Sequence, residues 1–444
     1  MLKKRMVCLL LAGMMAVSMT ACGGEEKETT TSKNSQEKEK DNTEKEPVKL
    51  TFWNAVMTDI DDTGTYTKEE IAFHKSMERF KEAYPYVEVE VVRYGVEEMN
   101  QLLTAAAMSE ELPDVIATWA GSYTNNFKDM LAPLEDYMSE EEVSEYTCLD
   151  ICREDMRPDG KLQALPLGVT TYNVYYNKDI FQKHNIDENN LPETWEDFLN
   201  LCQTLKDGGE IPVQVDNSGS AEAWVLSEFF ADELGPEKLI GLSDGTIKFD
   251  SDLYEELYGA WKQIYDKGYT NEDFRSIDGA TTGQRFFNGE SAMLFGGSWN
   301  QKDLMETMGD KVGTFKIPAY SADSPYKDYI IGQPGTNIAV MESSDCKEEA
   351  VAFAKMFSDG EYQTDDCAMF GNVPSNVKAD ASKLTNPLTQ ISYEWISADK
   401  NLIGFDSLIN AEAAAEFYKN CVLVNTGEMT IREFGALLDS LVAK

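Results

Sequence analysis

The sequence predicts an α/β protein of two lobes with a helical C-terminal part. Three observations support this prediction: strand and helix patterns alternate in the first part of the chain, the alternation begins again after Tyr172, and the last apolar residues recur at helical spacing. Such alternation is typical of parallel sheets flanked by helices. The chain has 444 residues, of which 42% are apolar, so it can bury the cores of about two to three domains.

The first part of the chain opens with a predicted strand. Residues 48–54 are rich in β-branched and aromatic side chains, as in a buried strand. Thr67-x-x-Glu70 has the spacing of a capping box, and the apolar residues after it recur at three and four positions, which predicts a helix as far as about Pro85. Valines alternate with glutamates at 87–91 and predict the next strand. Two more elements follow, a helix around 99–106 and a strand at 114–118.

The second part of the chain repeats this alternation. A strand is predicted at 172–176, and a helix from Thr194 through Lys206 follows it. A second capping box, Thr430-x-x-Glu433, precedes an apolar helical pattern and predicts a C-terminal helix. Between them we expect a strand at 211–215 and helices around 224–234 and 253–264.

The N-terminus predicts secretion. Three basic residues precede the apolar run 7–17, which is too short to span a bilayer, so residues 1–21 are interpreted as a cleaved signal peptide. Residues 22–47 begin with Cys22, and the residues after it contain no aromatic or aliphatic side chain that could be buried. We expect this segment to be a disordered tether.

The charge of the chain argues against two classes of partner. Lys and Arg number 39 whereas Asp and Glu number 79, which gives a formal net charge of −40. A body this acidic repels nucleic acid and anionic lipid at long range, so we expect neither as a partner. We interpret the charge as a source of solubility outside the cell.

The cysteines and histidines predict neither a disulfide framework nor a metal centre. Six cysteines follow Cys22, and none forms a Cys-x-x-Cys pair, so we expect scattered buried thiols. Cys148 and Cys152 are four residues apart, the spacing of one helix face. The two histidines, His74 and His184, are far apart, which argues against a zinc site. We expect no metal and no cofactor.

Several stretches resemble a known family. Met19-Thr20-Ala21-Cys22 resembles the lipobox of bacterial lipoproteins, whose cysteine is acylated. Further along, the matching stretches are LTFWN at 50–54, LPDVI at 112–116 with Trp119 after it, LAPL at 131–134, GK at 160–161, ALPL at 164–167, YNKDIF at 176–181, LPETWEDF at 191–198, FNGESAM at 287–293 and GSW at 297–299. In this order they resemble the bacterial extracellular solute-binding proteins of family 1, the group of maltose-binding protein and of many oligosaccharide-binding lipoproteins of ABC transporters.

The resemblance implies a fold and a function. The fold would be a two-lobed clamp of the periplasmic-binding-protein type II, with 48–168 plus 334–371 in lobe 1 and 169–333 plus 372–444 in lobe 2. The protein would be a monomer outside the cytoplasm, held to the membrane only by a lipid, palmitate, on Cys22. It would capture a carbohydrate, an oligosaccharide, in the cleft between its lobes and deliver it to the permease subunits of an ABC importer without catalysis.

Candidate ligand contacts follow from the chemistry of sugars, which present apolar C–H faces and a rim of hydroxyls. Aromatic rings suit the faces, and amides or carboxylates suit the rim. Trp53, next to Asn54, ends the first predicted strand, Trp119 follows the strand at 114–118, and Trp299 follows a strand predicted at 291–296. All three therefore stand at the ends of strands where ligands bind open α/β sheets. Alignment with the family adds Ser122, Tyr172, Glu222, Trp224, Asn300, Gln333 and Asp406. Trp195 and Trp261 lie at helical spacing with apolar residues and are interpreted as core, whereas Trp395 fits either role.

Other functions remain open from the sequence. An acidic cleft lined by tryptophan also suits a polyamine or another organic cation. The pair Tyr175-Tyr176 is compatible with iron binding, although a strand is the simpler interpretation. A glycoside hydrolase needs only two carboxylates, and a receptor of this kind can also signal to a membrane kinase. Phosphate-binding GxxxxGK[ST], HExxH and GxSxG motifs are absent.

One further loop resembles a calcium site. Residues from Asp59 to Glu70 nearly match an EF-hand loop, but Thr63 replaces an acidic or amide ligand and no helix is predicted before the loop. We interpret the loop as a polar connection that caps the next helix.

Overall fold

The structure is a computed structural model that describes residues 46–60, 66–109, 111–397 and 400–442. The predicted signal peptide 1–21, Cys22 and most of the tether 22–47 lie outside the described residues, as does part of the loop between Asp59 and Glu70. In the described ranges, no helix has both the length and the apolar character needed to cross a membrane.

The strands form two sheets. They are β1 (Val48–Asn54), β2 (Val87–Arg93), β3 (Val115–Trp119), β4 (Ala164–Pro166), β5 (Thr170–Asn177), β6 (Val213–Gln214), β7 (Met293–Gly297), β8 (Val312–Lys316), β9 (Ile330–Gln333), β10 (Thr336–Val340) and β11 (Asn401–Leu402). The first sheet has the order β2-β1-β3-β10-β4. The second has the order β11-β9-β5-β7-β6, and β8 also pairs with β5.

Helices occupy most of the remaining chain. The α-helices are α1 (Ala72–Ala83), α2 (Val96–Ser109), α3 (Ser122–Asn125), α4 (Glu140–Val143), α5 (Lys178–Lys183), α6 (Trp195–Asp207), α7 (Ser220–Leu239), α8 (Asp252–Asp266), α9 (Gly279–Phe287), α10 (Gln301–Met308), α11 (Lys347–Met356), α12 (Gly360–Phe370), α13 (Pro387–Ile396), α14 (Phe405–Leu408), α15 (Ala411–Asn425) and α16 (Ile431–Val442). The predicted α/β class and the helical C-terminal part are both confirmed.

The first lobe consists of the first sheet with α1, α2, α11 and α12. Strand β1 runs parallel to β2 and β3 because α1 and α2 carry the chain back between them. Phe52 on β1 meets Phe353 on α11 edge-on, with ring centroids 5.2 Å apart. Arg79 on α1 donates to both carboxylate oxygens of Asp359, at 2.9 and 3.1 Å. These contacts join the later segment α11–α12 to the first part of the chain.

The second lobe consists of the second sheet with α5 to α10 and α13 to α16. Strand β5 runs antiparallel to β7, β8 and β9, so the prediction of a parallel sheet is wrong for most of this lobe. In the first lobe the prediction holds for β1 to β3, but β10 is antiparallel to β3. Strands β5 and β10 enter their sheets directly from the other lobe, without a crossover helix that would make them parallel. Trp195 and Trp261 are buried in this lobe with ring centroids 5.9 Å apart, as predicted.

The chain crosses between the lobes after β4, after β9 and after α12. Neighbouring crossings are bonded to each other. Val169 and Val373 exchange backbone hydrogen bonds of 2.6 and 3.1 Å, and Thr170 pairs with Gln333. A few short, bonded crossings are the usual structure of a hinge between lobes.

Two local predictions differ from the structure. The Thr67 backbone N–H donates to Glu70 Oε2 at 2.8 Å, but this pair closes a separate turn, and α1 begins only at Ala72 without a side-chain cap. Cys148 has a positive φ of 59° and precedes a short 3₁₀ turn that ends at Cys152, so these cysteines do not share a helix face. Five of the six cysteines of the described chain are buried, and Cys148 is partly buried.

Candidate functional site

A cleft of about 710 Å³ lies between the lobes, beside the crossings. Its size is in the range of small-molecule binding sites. It is lined from the first lobe by Glu97, Trp119, Ala120, Ser122, Tyr123 and Thr336, from the crossings by Gly168, Thr170, Gln333, Gly335 and Asn372, and from the second lobe by Tyr172, Ser218, Ser220, Trp224, Trp299, Asp406, Ser407, Ala414, Ala415 and Tyr418.

The wall of the first lobe is built on Trp119, the last residue of β3. In the parallel register of the sheet, Asn54 at the end of β1 lies opposite Ala117, so β3 continues past the end of β1 and carries Trp119 into the cleft. The side chain of Trp119 is 44% exposed. Its ring meets Tyr123 edge-on, with centroids 5.0 Å apart. The first lobe thus presents a supported indole ring to a ligand.

The wall of the second lobe is a cluster of three aromatic rings. Tyr172 stacks on Trp224 with centroids 5.6 Å apart, and Trp299 meets Trp224 edge-on at 5.3 Å. Trp299 is 40% exposed and lies over Gly297, where an added Cβ would approach the ring to 2.0 Å. Because position 297 has no side chain, the indole can fold back over the end of β7. The cleft therefore has an exposed indole on each of its two walls.

The floor of the cleft is a layer of bonded polar groups. Gln333 Oε1 accepts the backbone N–H of Gly404 at 2.7 Å, and its Nε2 donates to Ser407 Oγ at 2.8 Å. Asp406 Oδ2 accepts the hydroxyl of Tyr418 at 2.8 Å. Burial raises the pKa of Asp406, and the bond from Tyr418 opposes part of that rise. The floor can therefore offer both acceptors and donors to a ligand's hydroxyl groups.

The charged residues of the cleft are acidic. Glu97 and Asp406 line it, whereas its lining within the described residues includes no Lys, Arg or His. The hydroxyl of Tyr123 donates to Glu97 Oε1 at 2.5 Å. An anion in this cleft would meet two carboxylates and no cationic side chain. The cleft therefore suits a neutral or cationic ligand.

A smaller cavity of about 250 Å³ adjoins the cleft within the second lobe, and we call it the side chamber. It shares Ser218, Ser220, Trp224 and Trp299 with the cleft. Its remaining lining residues are Gln214, Val215, Asp216, Ala221, Glu222, Gly279, Thr282, Gly283, Leu294, Phe295 and Asn300.

The predicted contact residues lie in the cleft, in the side chamber, or in neither cavity. Glu222 and Asn300 line the side chamber rather than the cleft, whereas Trp53 and Asn54 line neither cavity. Those in the lining of the cleft are Trp119, Ser122, Tyr172, Trp224, Trp299, Gln333 and Asp406.

The surroundings of Trp53 and Asn54 explain why neither residue lines a cavity. Trp53 is half-buried, and its ring meets Tyr94 edge-on with centroids 5.0 Å apart. Asn54 is 1% exposed, and its amide bonds the backbone N–H and carbonyl of Met57 at 2.8 and 2.9 Å. Its amide therefore closes the turn after β1 and has no access to the cleft.

Several lining residues were not found from the sequence. Glu97 lies in the first turn of α2, Tyr123 in α3, Ser407 in α14 and Tyr418 in α15. No local motif marks them, because each reaches the cleft through the packing of its helix. Tyr123 had one usable signal, since it stands one residue after the predicted contact Ser122.

The tyrosine pair considered for iron does not form a site. Adjacent residues of a strand point to opposite faces, and the two phenols are separated accordingly. Tyr175 is fully buried and donates to the carbonyl of Gly297 at 2.7 Å, whereas Tyr176 donates to Glu188 Oε2 at 2.9 Å. The described residues also contain no group of three or more His, Cys, Asp or Glu side chains placed to hold a metal ion.

The sequence of the chain matches one family of known proteins. The family model described as "Bacterial extracellular solute-binding protein" matches residues 75–390. The sn-glycerol-3-phosphate-binding periplasmic protein of Agrobacterium fabrum is 25% identical over 267 residues, which cover 59% of this chain and 54% of that protein. The corresponding protein of Shigella flexneri is 27% identical over 206 residues, 44% of each chain. The chain thus spans about half the length of these relatives.

Solved structures agree in fold. A chitin oligosaccharide binding protein superposes with a TM-score of 0.73 at 23% identity, covering 89% of this chain and 98% of that one. The cyclic alpha-maltosyl-1,6-maltose binding protein of Arthrobacter globiformis gives a TM-score of 0.68 at 19% identity, covering 89% and 98%. At these identities the likeness shows the two-lobed fold.

Proposed function

The chain belongs to the bacterial extracellular solute-binding proteins, and on this premise we propose that it captures a neutral oligosaccharide in the cleft between its lobes. Membership of this family also means that the protein works outside the cytoplasm. In the proposal, the lobes close on the sugar, and the closed form delivers it unchanged to the permease subunits of an ABC importer.

The observation that carries the proposal is the pair of exposed indoles on opposite walls. Large aromatic side chains are by default buried, yet Trp119 is 44% exposed and Trp299 40% exposed in the same cleft. Indole rings offer flat apolar area to the C–H faces of a pyranose. The floor of Gln333, Ser407 and Asp406 supplies the polar partners that the sugar hydroxyls need.

The charges of the cleft favour a neutral sugar over a phosphate ester. The relatives from Agrobacterium and Shigella are named for sn-glycerol 3-phosphate. A phosphate is recognised by cationic side chains, often by the bidentate fork of arginine. The described lining of this cleft has no cationic side chain and includes Glu97 and Asp406. We therefore propose that this chain differs from those relatives in its ligand.

An organic cation such as a polyamine is the second candidate. Glu97 and Asp406 lie beside indole rings, which attract cations through their faces. However, each carboxylate already accepts a hydrogen bond, from Tyr123 and from Tyr418, at 2.5 and 2.8 Å. Because these bonds satisfy part of each carboxylate, we rank the cation below the neutral sugar.

We propose no chemical change to the ligand. Hydrolysis of a glycoside needs two carboxylates placed across the scissile bond, one of them as a proton donor. Glu97 and Asp406 come from different lobes, and both accept tyrosine hydroxyls instead. Mass spectrometry of a bound oligosaccharide after long incubation should return it intact. Appearance of shorter fragments would establish a hydrolase instead.

The proposal includes the anchor and the lobe boundaries predicted from the sequence. Acylation of Cys22 with palmitate would hold the monomeric protein at the membrane, and the tether 22–47 would separate it from the surface. Loss of palmitate labelling in Cys22→Ser would support acylation at Cys22.

We propose 48–168 plus 334–371 as lobe 1 and 169–333 plus 372–444 as lobe 2. The chain crossings after β4, β9 and α12 support these boundaries.

Calorimetric titration of the purified protein tests the ligand. The titrants are xylo-, chito- and malto-oligosaccharides, sn-glycerol 3-phosphate and spermidine. We expect saturable binding of at least one oligosaccharide series and no binding of the phosphate ester. Binding of sn-glycerol 3-phosphate or spermidine alone would contradict the proposal. A permease gene beside this one, rather than a membrane kinase gene, would favour import over sensing.

A further inference from the structure

The side chamber contains buried polar side chains without partners. Gln214 is 1% exposed, and neither its amide nitrogen nor its amide oxygen has a hydrogen-bond partner. Thr282 is 3% exposed, and its hydroxyl also lacks a partner. A buried polar group without a partner destabilises a fold, and such groups normally bond to water or to a ligand. These two residues line the chamber together.

The other polar groups of the chamber are partly engaged. Glu222 Oε1 accepts the hydroxyl of Tyr265 and the amide of Asn425, each at 2.6 Å. Asn300 Oδ1 accepts the backbone N–H of Gly297 at 3.1 Å, which leaves its Nδ2 as a donor. These contacts fix both side chains in position, so the chamber is a rigid set of donors and acceptors.

The chemistry of the chamber selects hydroxyl groups. A hydroxyl donates and accepts at once, which matches the free amide of Gln214 and the free hydroxyl of Thr282. Asp216 and Glu222 accept strongly from hydroxyls but repel anions, and no Lys, Arg or His of the described chain lines the chamber. A volume of about 250 Å³ is the space of roughly eight waters, which accommodates one pyranose ring.

The chamber borders the site of the proposed ligand. The same four residues, Ser218, Ser220, Trp224 and Trp299, line both spaces. Trp299 thus separates a sugar unit stacked on its cleft side from a chamber that Gln214 also lines. Resting on the proposed function, we infer that the side chamber is a second sugar subsite, which takes one pyranose unit of an oligosaccharide bound in the cleft.

Affinity as a function of ligand length tests this subsite. The probes are mono-, di-, tri- and tetrasaccharides of whichever xylo-, chito- or malto- series binds the parent protein. The variants are Gln214→Leu and Thr282→Val, and Thr282→Val replaces the hydroxyl by a methyl group of similar shape. The matched control is Thr204→Val, because Thr204 is exposed on α6 and bonds only the carbonyl of Asn200.

We expect one added sugar unit to raise the affinity of the parent and of Thr204→Val by about tenfold or more, as hydroxyl recognition by buried polar groups implies. The chamber variants should bind the shorter ligand with an affinity within about twofold of the parent's. They should lose most of the affinity that the parent gains from the added sugar unit. A melting curve of each unliganded variant confirms folding, and Thr282→Val keeps the test available if Gln214→Leu does not fold.

The outcomes separate the two proposals. If no saccharide binds the parent, the proposed function fails and the subsite fails with it. If saccharides bind but length gives no gain, or both chamber variants keep the gain, the subsite alone is overturned. A crystal structure of the complex with only water in the chamber would overturn it in the same way, whereas a sugar ring bonded to Gln214 and Thr282 would support it.

Discussion

Gly121 of the first lobe lies directly against Ser407 of the second lobe. A Cβ added at Gly121 would lie 2.7 Å from the Ser407 carbonyl oxygen and 3.1 Å from its Cβ. Real Cβ atoms do not approach other atoms so closely, so the two lobes can meet here only because position 121 has no side chain. Both residues adjoin the cleft, since Ser407 lines it and Gly121 separates the lining residues Ala120 and Ser122.

We expect Gly121→Ala to weaken saccharide binding, because the added methyl group would push Ser407 away from the first lobe and disturb the floor of the cleft. Gly121 also combines a φ of 71° with a ψ of −136°, a conformation that only glycine adopts readily, so alanine carries about 1–3 kcal/mol of backbone strain there. Gly309→Ala is the matched control, since Gly309 has a φ of 57° and a ψ of −133° but nothing within 4 Å of an added Cβ. Both variants should melt at similar temperatures, but titration should show weaker binding for Gly121→Ala only. Equal affinities would contradict this role of the contact.

The two walls of the cleft predict how individual tryptophans contribute to binding. Trp299→Ala and Trp119→Ala should each weaken binding of the best oligosaccharide by about 1–3 kcal/mol, because each removes a ring that stacks on a sugar. Trp53→Ala should leave affinity unchanged, since its ring packs on Tyr94 outside the cleft. Trp395→Ala is a further control away from the cleft. Isothermal titration of the four variants measures these affinities. A loss of affinity in Trp53→Ala would show that Trp53 contacts the ligand after all.

The bond between Tyr418 and Asp406 predicts a stability change that depends on pH. The pKa of Asp406 is raised by burial, and the Tyr418 hydroxyl lowers it in part. Tyr418→Phe should raise that pKa further, so the cost of ionising Asp406 in the folded protein increases. The variant should then lose about 1–3 kcal/mol at pH 8, and the loss should shrink toward pH 4, because protonation of Asp406 removes the cost of ionising it without the bond.

Urea unfolding at the two pH values measures this difference. Tyr320→Phe is the matched control, because the Tyr320 hydroxyl donates to Glu256 at 2.7 Å on the exposed surface. An exposed bond of this kind contributes little to stability. A loss for Tyr418→Phe that is the same at pH 4 and pH 8 would show that the pair does not control the ionisation of Asp406.

The contrast between Trp53 and Trp119 shows what the sequence can predict about the site. Both follow a β-branched run, and both were expected at the ligand-binding ends of their strands. Only the register separates them, because β3 continues past the end of β1. Register depends on how strands pair across the sheet, and neighbouring residues along the chain carry little information about it.

The same limit applies to the fold. Local patterns gave α6 correctly, and the structure adds a pair of capping bonds between Thr194 and Asp197 that was not predicted. They gave the Thr67–Glu70 turn but not the start of α1, because a capping pair does not determine whether the turn after it continues as a helix. Tyr418 was missed altogether, since its place in the cleft depends on how α15 packs against the second lobe.

Asp232 gives a last prediction, which concerns stability. It is 2% exposed on α7, and its Oδ2 accepts the backbone N–H of Tyr320 at 2.7 Å. Burial raises the pKa of Asp232 to about 7, although the bond from Tyr320 opposes the rise. Between about pH 4 and pH 7 the folded protein therefore holds a proton that the unfolded chain releases, so this residue makes stability fall as the pH increases through that window.

We expect Asp232→Asn to remove this pH dependence, because asparagine keeps the acceptor for Tyr320 but cannot ionise. The variant should match the parent near pH 4 and exceed it at pH 8 by up to about 4 kcal/mol in the free energy of unfolding. Asp278→Asn supplies a contrast of opposite sign, since Asp278 caps α9 and its bond to the Thr281 backbone N–H lowers the pKa of Asp278. Its variant should lose stability relative to the parent at neutral pH and approach it in acid. Parallel curves of stability against pH for the parent and Asp232→Asn would show that Asp232 ionises as freely in the folded protein as in the unfolded chain.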